Sequence, residues 1–239
     1  MKLNQSQLER YQRQIALDDF GEEKQIALLN SKVLIIGCGG LGSLASLSLA
    51  ALGIGQIGLV DFDQVSLSNL QRQIIYDEED LLKDKIDASK AKLIKKNSDV
   101  KIKTYKLKID ENNIKDIIKD YDIVMDCVDN FKTKLIINDA CLASKIPLVS
   151  GGIDNYSGQV ILIDKDSIFN LRSILPKEVN IDEKHLKKML RTYPLAVHLV
   201  SSLMANEVVK YLLDIGEHLK DEMLVVDALK LEFKKYRIS

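Results

Sequence analysis

Short apolar runs alternate with stretches of helical period over the first two thirds of this chain. Lys32–Ile36, Gln56–Val60, Lys101–Tyr105, Asp122–Met125 and Pro147–Val149 read as strands. Between them, Leu41–Leu52, about Lys85–Lys96 (apolar at Ile86, Leu93 and Ile94), the stretch near Asn112–Lys119 and Lys132–Ala143 read as helices. Such alternation predicts right-handed crossovers and a parallel sheet. Upstream, Leu8, Tyr11 and Ile15, then Ile26, Leu28 and Leu29, keep a helical period over Gln5–Leu29. The break at Asp18-Asp19-Phe20-Gly21 predicts two helices there rather than one.

The pattern changes past Gly151. Gly158–Ile163 reads as a strand, Asp164–Arg191 is charged and irregular, and Pro194–Leu213 is a long amphipathic helix. Met223–Asp227 and Lys230–Tyr236 have no helix between them, so they predict an antiparallel hairpin. No repeat and no Pro- or Ser-rich linker divides the chain. The expectation is one domain over 1–239, with N-terminal helices in 1–30, a nucleotide-binding half in 31–150 and a C-terminal half in 151–239.

The glycine pattern gives this sheet a use. Gly37-Cys38-Gly39-Gly40-Leu41-Gly42 is a GxGxxG turn that follows one apolar run and opens a helix, the context the motif requires. A glycine turn lets the backbone approach a phosphate, and the helix start supplies free N–H groups and a partial positive charge. Asp61 and Asp63 close the next run at the spacing where an acid meets a ribose hydroxyl, although a loop or capping acid fits the same place. The fold class expected is therefore α/β and Rossmann-like. A mostly parallel sheet carries helices on both faces and is extended by antiparallel C-terminal strands.

Charge narrows the ligand. With 34 Lys+Arg against 35 Asp+Glu, the net charge of −1 gives no general attraction to nucleic acid or anionic membrane. Two cations nevertheless fall near strand ends: Arg72, in Ser68-Asn69-Leu70-Gln71-Arg72-Gln73, and Lys85, at a helix start. A pyrophosphate is largely satisfied by a glycine turn, whereas a triphosphate under attack develops charge that fixed cations stabilise. Asp129, in Asp126-Cys127-Val128-Asp129-Asn130, suits Mg²⁺ through one carboxylate, and either Asp129 or Asn130 also suits the cap of the next helix.

Other chemistries find little support. Cys38, Cys127 and Cys141 are too few and too scattered for a disulfide framework, and packing explains each. His185, His198 and His218 lie far apart and read as surface or partly buried residues. Met1 to Arg13 is polar and helix-like, without a leader pattern, and the apolar stretch Leu41–Val60 is broken by glycines and Gln56. A soluble cytoplasmic protein is the expectation.

Taken in order, several of these residues resemble the ThiF/MoeB/HesA family, bacterial relatives of ubiquitin-activating enzymes. The match is carried by Arg10-Tyr11-Gln12-Arg13-Gln14-Ile15, the glycine turn, Asp61-Phe62-Asp63, Ser66 through Gln73, Lys85 and Asp126 through Asn130. Leu148-Val149-Ser150-Gly151-Gly152 and the helix around Ser202–Asp214 extend it, so it spans Glu9 to about Phe233.

The resemblance implies an ATP-dependent adenylyltransferase that activates the Gly-Gly carboxylate of a ThiS- or MoaD-like ubiquitin-fold sulfur carrier. By the same resemblance Asp61 holds the ribose and Arg72 and Lys85 bind phosphates. Asn69 and Gln73 line the reacting centre, Asp129 serves Mg²⁺, and Arg13 reaches the partner subunit's site in a homodimer. The C-terminal half, 151–239, is then the carrier-binding part. Thiamine, molybdopterin and other sulfur pathways all stay open.

The chain also departs from the family. Many members bind zinc through two CxxC pairs, but the first expected location reads Phe169-Asn170-Leu171-Arg172-Ser173, so no zinc is expected. Asp164–Arg191 holds no cysteine for covalent transfer. Three alternatives stay in view: a tRNA-modifying dehydratase of the same superfamily, an NAD-dependent oxidoreductase, and a non-catalytic partner subunit.

Overall fold

The computed structural model describes residues 2–175 and 191–238. His185 and most of the charged stretch 164–191 therefore lie outside the described residues. Helices α1 (Gln5–Ile15) and α2 (Gly21–Asn30) precede β1 (Lys32–Ile36), α3 (Gly40–Leu52), β2 (Gln56–Val60), α4 (Lys85–Lys96) and β3 (Lys101–Tyr105). Then come α5 (Ile114–Ile118), β4 (Ile123–Asp126), α6 (Phe131–Ser144), β5 (Leu148–Asp154) and β6 (Ser157–Ile163). A short α7 (Leu171–Ile174), α8 (Pro194–Leu213), β7 (Glu222–Asp227) and β8 (Glu232–Arg237) complete the described chain.

Among the described residues the strands form one sheet of eight in the order β3-β2-β1-β4-β5-β6-β7-β8. The first five are parallel, and β6, β7 and β8 add antiparallel. The alternation of side chains explains why β1 is apolar throughout. Val33 and Ile35 enter one core cluster, with α3 and α8, while Leu34 and Ile36 enter the other, with α5 and α6. Each such side chain, fully buried, contributes about 1.5–3 kcal/mol.

The chain leaves β1 towards β2 and β3 on one side, then returns to β4 and β5 on the other. The carboxyl ends of β1 and β4 thus diverge, which makes the crevice where open α/β sheets bind ligands.

Among the elements whose bounds differ from the sequence expectation, β5 and α5 have a clear local cause. β5 runs on through Gly151 and Gly152 to Asp154 instead of ending at Val149, because it pairs with β6 down to Asp154↔Ser157. The glycines hid that continuation. α5 begins at Ile114, since Asp110 takes the amides of Asn112 and Asn113 into a turn. No described helix is long and apolar enough to cross a membrane.

A nucleotide-sized cleft at the switch point

A cleft of about 710 Å³ opens at the ends of β1 and β4. Gly37, Gly39, Gly40 and Leu41 form one wall, Asp61 and Asp63 the next, and Asn69, Arg72, Gln73 and Lys85 the rim. Asp129 and Asn130 close it from the β4 side.

The glycine turn is held by its neighbours on three sides. Gly37 has φ +97°, and a Cβ there would stand 2.8 Å from the Cys127 carbonyl oxygen, so only glycine fits between the two strand ends. A Cβ on Gly42 would meet the Gly37 oxygen at 1.8 Å. Gly42 therefore packs the turn onto its helix, and it does not line the cleft as a binding residue would. Asp61 holds the turn from β2: its carboxylate accepts the Cys38 amide at 2.6 Å and the Asp63 amide at 2.8 Å. From the other side the buried Tyr76 hydroxyl donates to the Cys38 carbonyl at 2.9 Å.

The cations sit in different states. Lys85 is buried, its Nζ 3.0 Å from Asp63 Oδ2. Arg72 is half-buried in the loop after β2, and its guanidinium donates to the Ser68 carbonyl at 3.0 Å. Asn69 closes the same loop by accepting the Ser66 amide. Gln73 is buried, and its Oε1 has no hydrogen-bond partner among the described residues. Gln73 lines the cleft, so a donor on a polar ligand would satisfy such an orphan.

On the opposite wall the two candidate caps separate. Asn130 accepts the Thr133 amide at 2.9 Å and caps α6. Asp129 is left exposed on the cleft, with no ion pair among the described residues, so a divalent ion fits its carboxylate.

Below it lies a buried group that sequence reasoning missed. Asp126 is 0% exposed and accepts from Lys134 Nζ at 2.8 Å and from Ser150 Oγ at 2.7 Å. Lys134 also donates to the Gly151 carbonyl at 2.7 Å, tying β4, α6 and β5 together under the cleft floor. The signal was present: Lys134, Ile137, Asn138 and Cys141 share one buried face at helical spacing, where an unpaired lysine has no place.

Arg13 is not brought to the cleft of its own chain. It is exposed near the end of α1, and its neighbour Gln14 donates to the Leu52 carbonyl at the last residue of α3. α3 begins at the cleft with Gly40, so this contact lies about 18 Å of helical rise away.

No thiol is activated. Burial pushes the Cys38 and Cys127 thiols well up and Cys141 up to about 12. Among the described residues no three His, Cys, Asp or Glu side chains gather as a metal site.

A model of the ThiF family matches residues 11–239. The chain is 34% identical over 236 residues to a SAMP-activating enzyme E1 of Haloferax volcanii, covering 98% of this chain and 86% of that protein. It is 33% identical over 243 residues to a sulfur carrier protein adenylyltransferase of Thermus thermophilus, with 100% and 90% covered. Against a probable adenylyltransferase/sulfurtransferase MoeZ of Mycobacterium tuberculosis the identity is 33% over 240 residues, but the match spans 61% of that longer protein. Among solved structures, E. coli MccB with ATP superposes with a TM-score of 0.81 at 25% identity, over 90% of this chain and 65% of that one. E. coli MccB with MccA-N7isoASN gives 0.85 at 27%, over 96% and 72%.

Proposed function

The chain belongs to the ThiF family, and from that membership we propose that it is an ATP-dependent adenylyltransferase. Its substrate in this reading is the C-terminal Gly-Gly carboxylate of a ubiquitin-fold sulfur carrier. The names of the Thermus and Haloferax relatives support that substrate class. The observation that carries the reading is the convergence of Arg72, Lys85 and Asp129 on one cleft with the glycine turn.

The carboxylate oxygen attacks the α-phosphorus of ATP, the bond to the bridging oxygen breaks, and pyrophosphate leaves. A carboxylate is already ionised, so no general base is needed, and catalysis is mostly positioning and charge neutralisation. The turn and the start of α3 cradle phosphate, Asp61 holds the ribose, and Arg72 and Lys85 neutralise the charge that develops. Asn69 and Gln73 flank the reacting centre. Asp129 would hold Mg²⁺, which supplies charge neutralisation to the phosphates.

The position of Arg13 supports a two-fold homodimer in which it completes the neighbouring site, since its own cleft lies beyond its reach. Zinc has no place in this reading, and a cytoplasmic setting goes with it.

Exchange of labelled pyrophosphate into ATP tests the proposal, with Mg²⁺ and a carrier ending in Gly-Gly. Arg72→Ala is expected to lower exchange about 10²–10³-fold, the loss typical of one preorganised transition-state contact. Unchanged exchange in that variant, or hydride transfer with a nicotinamide, overturns it.

A further inference from the structure

We propose that His198 is a positioning residue for Arg72. His198 stands in the first turn and a half of α8, half-buried, with Nε2 3.2 Å from the Arg72 backbone carbonyl. A carbonyl only accepts, so Nε2 carries the hydrogen and donates it.

The other hydrogen bonds of Arg72 stay within its own loop. Its amide donates to the Asn69 carbonyl at 3.1 Å, and its guanidinium donates to the Ser68 carbonyl at 3.0 Å. His198 therefore ties that loop to the frame of the molecule at the residue whose charge is used.

The frame at that point is rigid. Three residues on from His198, Ser201 is buried and its Oγ donates to the Leu41 carbonyl at 2.6 Å, in the first turn of α3. One residue before it, Val197 packs on Gly40: a Cβ built there would stand 2.8 Å from Val197 Cγ1 and 3.7 Å from Arg72 Cγ and Cδ. One turn of α8 thus touches the phosphate-facing start of α3 with Val197 and Ser201, and the Arg72 loop with His198. It fixes the distance between the helix end and the guanidinium, the two anion-binding parts. The apolar face of α8 offers no signal of this in the sequence, where His198 reads as an ordinary histidine.

The inference rests on the adenylation reading for its consequence but not for its geometry, so two measurements separate them. In the ligand-free protein, hydrogen exchange over residues 69–76 is expected to quicken in His198→Leu. In pyrophosphate exchange, His198→Leu is expected to lower kcat about 3–10-fold, the worth of one hydrogen bond, with little change in KM for ATP. His198→Gln places an N–H at nearly the same distance and is expected to recover most of both. In an Arg72→Ala background, His198→Leu is expected to cost nothing further.

Unchanged protection over 69–76 overturns the proposal whatever the activity. So does an equal loss in the Gln and Leu variants, which would mark a packing role for the ring. If the wild-type protein exchanges no pyrophosphate, the adenylation reading fails, and the protection data still decide whether His198 anchors the loop.

Discussion

Lys85 and Asp63 are joined twice, once through the backbone and once through their side chains. The Lys85 amide donates to the Asp63 carbonyl at 3.0 Å, and Lys85 Nζ lies 3.0 Å from Asp63 Oδ2. The lysine side chain is 7% exposed and the aspartate 53%, so the cation is desolvated while its partner still faces water. In the adenylation reading, an arriving phosphate would meet a buried cation whose counter-ion retains water if displaced.

Lys85→Met is therefore expected to fold normally, because methionine keeps the buried stem and Asp63 stays hydrated. Its pyrophosphate exchange is expected to fall at least about 10²-fold. A melting temperature near wild type with intact exchange would show that Lys85 serves only Asp63.

The reach of Arg13 is tested by mixing chains. Arg13→Ala and Arg72→Ala are each expected to be inactive alone. If Arg13 acts in the neighbouring subunit, a mixed dimer holds one doubly defective site and one intact site. Random pairing of equal amounts should return about a quarter of wild-type activity. Inactivity despite proven heterodimers would place Arg13 in its own subunit's chemistry or outside it.

Lys134→Met leaves Asp126 buried without its cation. The expected loss is about 3 kcal/mol in urea unfolding, at the low end for a broken buried pair, because Ser150 Oγ and the Val128 amide still donate to that carboxylate. Asp126→Asn combined with Lys134→Met is expected to regain part of the loss. A single variant as stable as wild type would remove the role given to this pair.

The three thiols are expected to ignore a disulfide reagent at pH 8 until the protein unfolds. Burial raises all of them, Cys141 up to about 12, so little thiolate exists in the folded state. Denaturing mass spectrometry after incubation with ATP and carrier should likewise show no adduct on Cys38, Cys127 or Cys141. Either rapid labelling or an adduct would reveal a nucleophile.

Most of the sheet was legible because β1, β2 and β4 are buried on both faces and carry little but apolar residues. Run length and the glycine turn suffice to identify them. The cleft was legible for a related reason: a phosphate cradle constrains glycines and charges that stand close in sequence. Contacts across long separations left no such trace. His198 meets Arg72 across 126 positions, through folding alone. Arg13 stood out by resemblance, while its distance from its own cleft appears only once Gln14 is seen at the far end of α3. At Gly42 an added Cβ would strike the Gly37 carbonyl, so packing alone accounts for glycine at that motif position.

The six-residue glycine motif does not hold its own shape. Asp61, Tyr76 and the Cys127 carbonyl brace it from three separate strands and loops. A nucleotide therefore need not order the loop it lands on, and the free energy of its contacts goes into affinity rather than into freezing backbone. The same bracing spreads the sites of damage. A change at position 61 or 76 would loosen the cradle while every residue of the motif stayed in place, so an intact motif in a diverged chain is no warrant of an intact site.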